Sequence, residues 1–321
     1  MSVPRLLPRS SGGWVRLLAA VGVAAALAAV VGPLVQHERM ARKIVRAPNA
    51  TRAPDGGEPP DGARELRVPV GPPEAELEVW VLDPEDEPPR GTVVVLHGIQ
   101  DRKRSQIGVG QHFVRCGLRA VLVDVRGHGG STGRFVTYGA VETRDLVQVL
   151  ARLEADGLLV RPVGAHGPSY GGALAILLAG ADPRVRALSV NSAYADVEGV
   201  ARAFVADAFP NRDPPDLYVS LFLGRATAIA GFDPADADVE AAMARSDAAA
   251  MLAHGAADRI VPFTHAERLQ RACADRGCEL MRLEGLRHQE ALASQEAGRG
   301  TRRWLCEALE AAAGREGGRA R

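Results

Sequence analysis

Apolar residues fall along this chain in short runs bounded by glycine and proline, with stretches of helical spacing between them. Thr92-Val93-Val94-Val95-Leu96 is a β-branched run ending in His97-Gly98, the pattern of a buried strand that enters a loop. Residues 120–125, 160–165 and 185–190, the stretch through Met251, and residues 279–283 predict further strands of one sheet. Residues 65–70 and 76–82 read as antiparallel edge strands ahead of them. Between the strands, residues 105–116 predict a helix closed by Gly117. Residues 141–153 set Leu146, Val149, Leu150 and Leu153 on one helical face. Residues 172–179 are a small-residue helix able to lie close to a sheet. This alternation predicts one α/β domain over residues 64–312, with a doubly wound, mostly parallel sheet flanked by helices.

Three segments depart from the alternation. Residues 197–245 read as helices interrupted by Pro210-Asn211-Arg212-Asp213-Pro214-Pro215, an insertion expected to form a helical cap. Its Phe204, Phe209, Leu217, Tyr218, Leu221 and Phe222 would either line an acyl pocket or form the core of the cap. Residues 17–35 contain no charged side chain. As a helix they would span roughly 28 Å, near the ~30 Å of a hydrocarbon core. Residues 1–45 are therefore expected to be a single-pass N-terminal anchor in the cell membrane, with the domain outside the cytoplasm; a cleaved signal peptide is the alternative. Residues 46–63, rich in Pro, Gly and charge, read as a flexible stalk, and residues 313–321 as a disordered tail.

The chemistry concentrates at Gly167-Pro168-Ser169-Tyr170-Gly171, a G-x-S-x-G pattern between a predicted strand and a predicted helix. Such a turn exposes a serine hydroxyl at the top of a sheet and aims a helix N-terminus at the charge that develops there. A serine needs a base, and the base an orienting group. Downstream, Asp258 follows one predicted strand end and His288 another. Of the eight histidines, only His288 lies after the last strand and beyond that aspartate. Asp233 is the nearest rival carboxylate but sits in the insertion. The backbone N–H groups of Tyr170 and Ile99 are the candidate oxyanion donors. Arg102-Lys103-Arg104 follow the same loop, either as a lure for an anionic substrate or as a solvated run.

Leu96-His97-Gly98, Val123 to Ser131, the serine turn, His254-Gly255-Ala256-Ala257-Asp258 with Val261-Pro262, and Gly285 to His288 together resemble the α/β-hydrolase superfamily, over about residues 65–312. The likeness is to membrane-anchored serine hydrolases related to acylglycerol lipases, feruloyl-type esterases and prolyl-oligopeptidase-like domains. It implies the α/β-hydrolase fold with Ser169 as nucleophile, His288 as base and Asp258 as its partner. The expected activity is cleavage of a carboxylic ester of a small-molecule or lipid-like acyl substrate, through an acyl-enzyme and without cofactor or metal. A thioesterase or serine peptidase of the same fold, or a non-catalytic binding protein on it, are the alternatives. Pro168 stands where the family usually has His, Trp or Glu, and the strand before Asp258 begins with a thin run of alanines.

Composition adds exclusions. Basic and acidic residues balance at 39 each and aromatics make up 4%, so nothing points to a nucleic-acid partner. The four cysteines show no zinc spacing, and Cys273 and Cys278 are close enough in sequence either to pair or to stand as separate thiols.

Overall fold

The strands form where β-branched and small apolar residues can be buried on both faces. A computed structural model describes residues 11–209 and 212–319. Its strands are β1 (Arg64–Val70), β2 (Ala75–Leu82), β3 (Thr92–Leu96), β4 (Arg119–Val123), β5 (Val163–Pro168), β6 (Val185–Asn191), β7 (Ala249–Gly255) and β8 (Glu279–Leu283). They join one sheet in the order β1-β2-β4-β3-β5-β6-β7-β8. β2 runs antiparallel to β1 and β4, and every other pairing is parallel.

The helices are α1 (Ser11–Ile44), α2 (Ile107–Arg115), α3 (Glu142–Ala155), α4 (Ser169–Ala181), α5 (Val197–Val205), α6 (Asp216–Ala230), α7 (Val239–Arg245), α8 (Thr264–Ala272), α9 (His288–Ala293) and α10 (Gln295–Arg319). α2 and α10 cover one face of the sheet, burying Phe113, Leu305 and Leu309 against Trp80, Val93, Val95 and Leu122. α3 and α4 cover the other, where Leu146, Leu150, Leu174 and Leu178 are buried. α4 is apolar all round and buried from Tyr170 to Ala179. It lies between the sheet and α7, and a Cβ on its Gly180 would meet the Ala242 carbonyl oxygen at 2.6 Å.

The N-terminal expectation needs correction. Residues 17–35 are helical within α1, yet among the described residues no helix is long and apolar enough to cross a membrane. Seven of these nineteen positions are alanine and two are glycine, side chains that offer little apolar area. The expected anchor and membrane location are therefore not supported; residues 1–10 lie outside the described ones. The far end of α1 instead docks on the domain. Ala41, Ile44 and Val45 are buried. His37 packs edge-on against Tyr218 and Phe222 of α6, and Arg225 makes a two-pronged ion pair with Glu38.

The next segment is tied down as well. Asn49 donates to the Gly129 and Ser131 carbonyls, and the Asp55 N–H donates to Gly129 O. At the other terminus α10 continues through residues 313–319; residues 320–321 lie outside the described ones.

Two disulfides close the domain. Cys273 and Cys278 are bonded, and Cys116 at the end of α2 is bonded to Cys306 of α10, 190 positions away. In the chain-entropy account the long loop restricts the unfolded chain more, by about 5 against about 2 kcal/mol. Cys116→Ser should therefore lower the urea unfolding midpoint of the oxidised protein more than Cys278→Ser does. Equal or reversed losses would show that native packing, and not chain entropy, sets the effect.

Candidate active site

Three loops at the carboxyl ends of the parallel strands supply the site, as expected for an open α/β sheet. Ser169 opens α4 with φ +48°, the sparsely populated left-handed region for a residue with a side chain. The turn is too tight for side chains on either flank. A Cβ on Gly167 would stand 2.5 Å from the Gly171 backbone, and one on Gly171 would stand 2.6 Å from the His97 carbonyl oxygen. Pro168 takes an extended conformation that leads into the turn, with φ −90° and ψ 147°.

Asp258 lies just past β7 and is buried. Its Oδ1 accepts the N–H groups of Ile260 and Val261 at 2.9 and 2.8 Å, which fixes the carboxylate plane. Its Oδ2 lies 2.6 Å from His288 Nδ1. His288 is the first residue of α9, whose start is set by Glu290 accepting the Arg287 N–H. His288 Nε2 lies 3.1 Å from Ser169 Oγ. A carboxylate only accepts, so Nδ1 carries the imidazole proton and Nε2 accepts from the serine hydroxyl. The rival Asp233 is exposed and caps a short turn through the Ala235 N–H.

Ile99 and Tyr170 carry the candidate oxyanion donors. Among the described residues, neither the Ile99 N–H nor the Tyr170 N–H has a hydrogen-bond partner. The loop that carries Ile99 is stapled in place. His97 Nε2 accepts the Val125 N–H, and His97 Nδ1 donates to Gly98 O. His128 Nε2 accepts the Gln100 N–H. Burial pushes both imidazoles down to about 4 and keeps them neutral.

Lys103 is neither a lure nor solvated. It is fully buried, with its ammonium paired to Glu78 and Asp124 and 4.1 Å from the centre of the Trp80 ring.

A cleft of about 440 Å³ opens over Ser169 and His288. Its walls include Ile99 and Asp101, His166, and Thr301 with Arg302 of α10. Among the described residues nothing from 197–245 lines it. Phe204 stacks on Phe222 within the insertion, while Leu217 and Leu221 face solvent. The insertion's aromatic residues are seen packing on one another and against α1. His166 and Arg302 were not singled out from the sequence, since nothing local marks a strand histidine or a helical arginine as facing a cleft. His112, Cys116 and Cys306 cluster at metal-ligand distances, but both cysteines are spent in the disulfide and offer no thiolate.

Residues 87–220 match the family model described as serine aminopeptidase, S33. An uncharacterized protein of Bacillus subtilis (strain 168), YqkD, is 32% identical over 106 residues. That match takes in 33% of this chain and 34% of the other, so the chain spans about a third of the curated relative it matches. Among solved structures, the Pyrococcus furiosus esterase Pf2001 superposes with a TM-score of 0.63 at 17% identity, over 80% of this chain and 98% of that one. Est1E from Butyrivibrio proteoclasticus, solved with ferulic acid bound, gives 0.56 at 18% identity, over 74% and 96%. At these identities the likeness is one of fold.

The buried histidines predict an acid-sensitive domain. Unfolded imidazoles take up protons near 6.5, whereas burial holds folded His97 and His128 to about 4, and His166 to about 3. The unfolded chain therefore binds more protons between these values, and the stability present above pH 6.5 is lost as pH falls through that window. Asp145 opposes this, because burial pushes its carboxyl from 3.8 up to about 6. These four groups alone should take up about two protons on unfolding at pH 5, and the urea midpoint should lie below that at pH 7.5. A midpoint that is flat or rises toward pH 5 would contradict these buried neutral states.

Proposed function

We propose that this chain, an α/β-hydrolase by fold, is a serine hydrolase that cleaves carboxylic esters of small acyl substrates through an acyl-enzyme. The carrying observation is the continuous hydrogen-bond line from Asp258 through His288 to Ser169, beside two free backbone N–H groups. Ser169 Oγ attacks the ester carbonyl carbon while His288 Nε2 takes its proton. The oxygen gains negative charge and is stabilised by the N–H groups of Ile99 and Tyr170. Asp258 keeps the imidazole tautomer and stabilises the imidazolium. The tetrahedral intermediate collapses, the C–O bond to the alcohol breaks, and His288 delivers its proton to the departing alkoxide. Water then repeats the sequence on the acyl-serine, releasing the acid and restoring Ser169. Solved neighbours described as esterases support an ester as the scissile bond.

The match to a serine aminopeptidase family model favours a second reading, in which the same groups cleave an amide and His288 protonates an amine. Parallel assay of p-nitrophenyl esters and aminoacyl p-nitroanilides separates the two.

Ser169→Ala should lower ester turnover by about 10⁴-fold or more in a folded protein and abolish labelling by a fluorophosphonate probe. Near-normal turnover by this variant would end the mechanism. Asp258→Asn should cost far more than Asp233→Asn, since only Asp258 fixes the imidazole proton on Nδ1. A crippled Asp233→Asn with an active Asp258→Asn would reverse the assignment. A wild-type protein inert to both esters and the probe would point to a non-catalytic binding role.

A further inference from the structure

Arg302 is a half-buried cation without a counter-charge in the wall of the cleft that holds Ser169. The two fully buried arginines are satisfied: Arg126 grips both oxygens of Asp145, and Arg119 grips Asp83. Arg302 differs. Its Nε is shielded from water without a hydrogen-bond partner, and among the described residues no carboxylate lies within salt-bridge distance of its guanidinium. Burial, and then the nearby charge of Arg299, draws its pKa below the ordinary value. A guanidinium that is partly desolvated and has no anion beside it is one that a ligand carboxylate can complete.

The surroundings are arranged around that cation. Gly298, one turn earlier on α10, clears its path, since a Cβ there would stand 2.9 Å from Arg302 Nη1. His166 beside it is buried, bonds Ser189 Oγ through Nδ1 at 2.7 Å, and is pushed down to about 3 by burial and then by Arg302, so it adds no charge. Burial likewise lowers His112. Asp101 is the carboxylate on the cleft wall, and it is engaged by the Arg102 N–H at 2.8 Å and Ser105 Oγ at 2.6 Å. Arg302 lines the same cleft as Ser169 and His288 and is hydrogen-bonded to neither.

We infer that Arg302 is a specificity-determining residue that captures a carboxylate borne by the substrate at a distance from the scissile ester. A planar carboxylate matches the two-pronged donor face of a guanidinium, and the partial desolvation of the site strengthens the contact. The inference rests on the reading of Ser169 as the nucleophile of an ester hydrolase. It narrows the substrate class to monoesters that carry a second, ionised acid group.

The test uses matched esters. On the acyl side, the p-nitrophenyl monoesters of adipic and suberic acid are compared with p-nitrophenyl hexanoate and octanoate. On the alcohol side, 4-acetoxybenzoate is compared with 4-acetoxybenzamide. The quantity read is the ratio of kcat/KM for the charged over the neutral member. In the wild type this ratio should exceed unity by about tenfold or more in one of the two sets. In Arg302→Met it should fall by a similar factor, mainly through KM, and Arg302→Lys should recover part of it. Circular dichroism checks that the variants are folded. A wild-type ratio near one, with turnover that depends on Ser169, overturns this proposal and leaves the hydrolase reading standing. A ratio unchanged in Arg302→Met overturns it as well. If the wild type turns over no ester, the hydrolase reading fails, and calorimetry with monomethyl adipate decides the remainder. Binding that is lost in Arg302→Met then supports a carboxylate site, and no binding to the wild type overturns it.

Discussion

Lys103 carries its ammonium out of contact with water, between Glu78 of β2 and Asp124 at the end of β4. Each partner is committed elsewhere too. Asp124 also accepts the N–H groups of Lys103 and Gly130, and Glu78 also pairs with Arg67. Removing any one of these charges would strand the others in a medium that solvates them poorly, which costs several kcal/mol. The cluster therefore ties together the loop after β3, the loop after β4 and strand β2. The first of those loops carries Ile99. Its position is fixed from below by a buried charge network and from the side by His97 and His128, so the backbone that faces Ser169 is set before any ligand arrives.

The strained turn at Ser169 is supported by the same logic of close approach. A serine at positive φ persists only where its surroundings leave no relaxed alternative. Here Gly171 abuts the end of β3, and α4 is buried between the sheet and α7. The hydroxyl is thus carried by the most deeply packed helix of the domain, whereas Asp258 and His288 come from short turns fixed by capping hydrogen bonds. Rigidity enters the site by two routes, packing for the serine and backbone hydrogen bonds for its partners.

What could be read from the sequence was local. Strand runs, the glycines around Ser169, and an aspartate and a histidine just past later strand ends are patterns within a few residues, and the sheet topology brings those ends together. The unread features depend on distant partners. Lys103 looks like one of three solvated charges until Glu78 and Asp124 converge on it. Arg302 is one of many arginines until α10 is laid beside β5 and β6. The apolar run in α1 resembled a membrane span because charge was absent, while its alanines gave it little apolar area. The aromatics of residues 197–245 were legible as apolar but not as to which surface they would meet.

The Cys116–Cys306 bond joins the end of α2 to α10, with Cα atoms 6.2 Å apart. These two helices contribute Val109 on one side of the cleft and Thr301 and Arg302 on the other. The covalent link limits how far these two helices can part during thermal breathing. The gap between the two helices then acts as a gauge of fixed width, whose tolerance depends on whether one pair of sulfurs is joined.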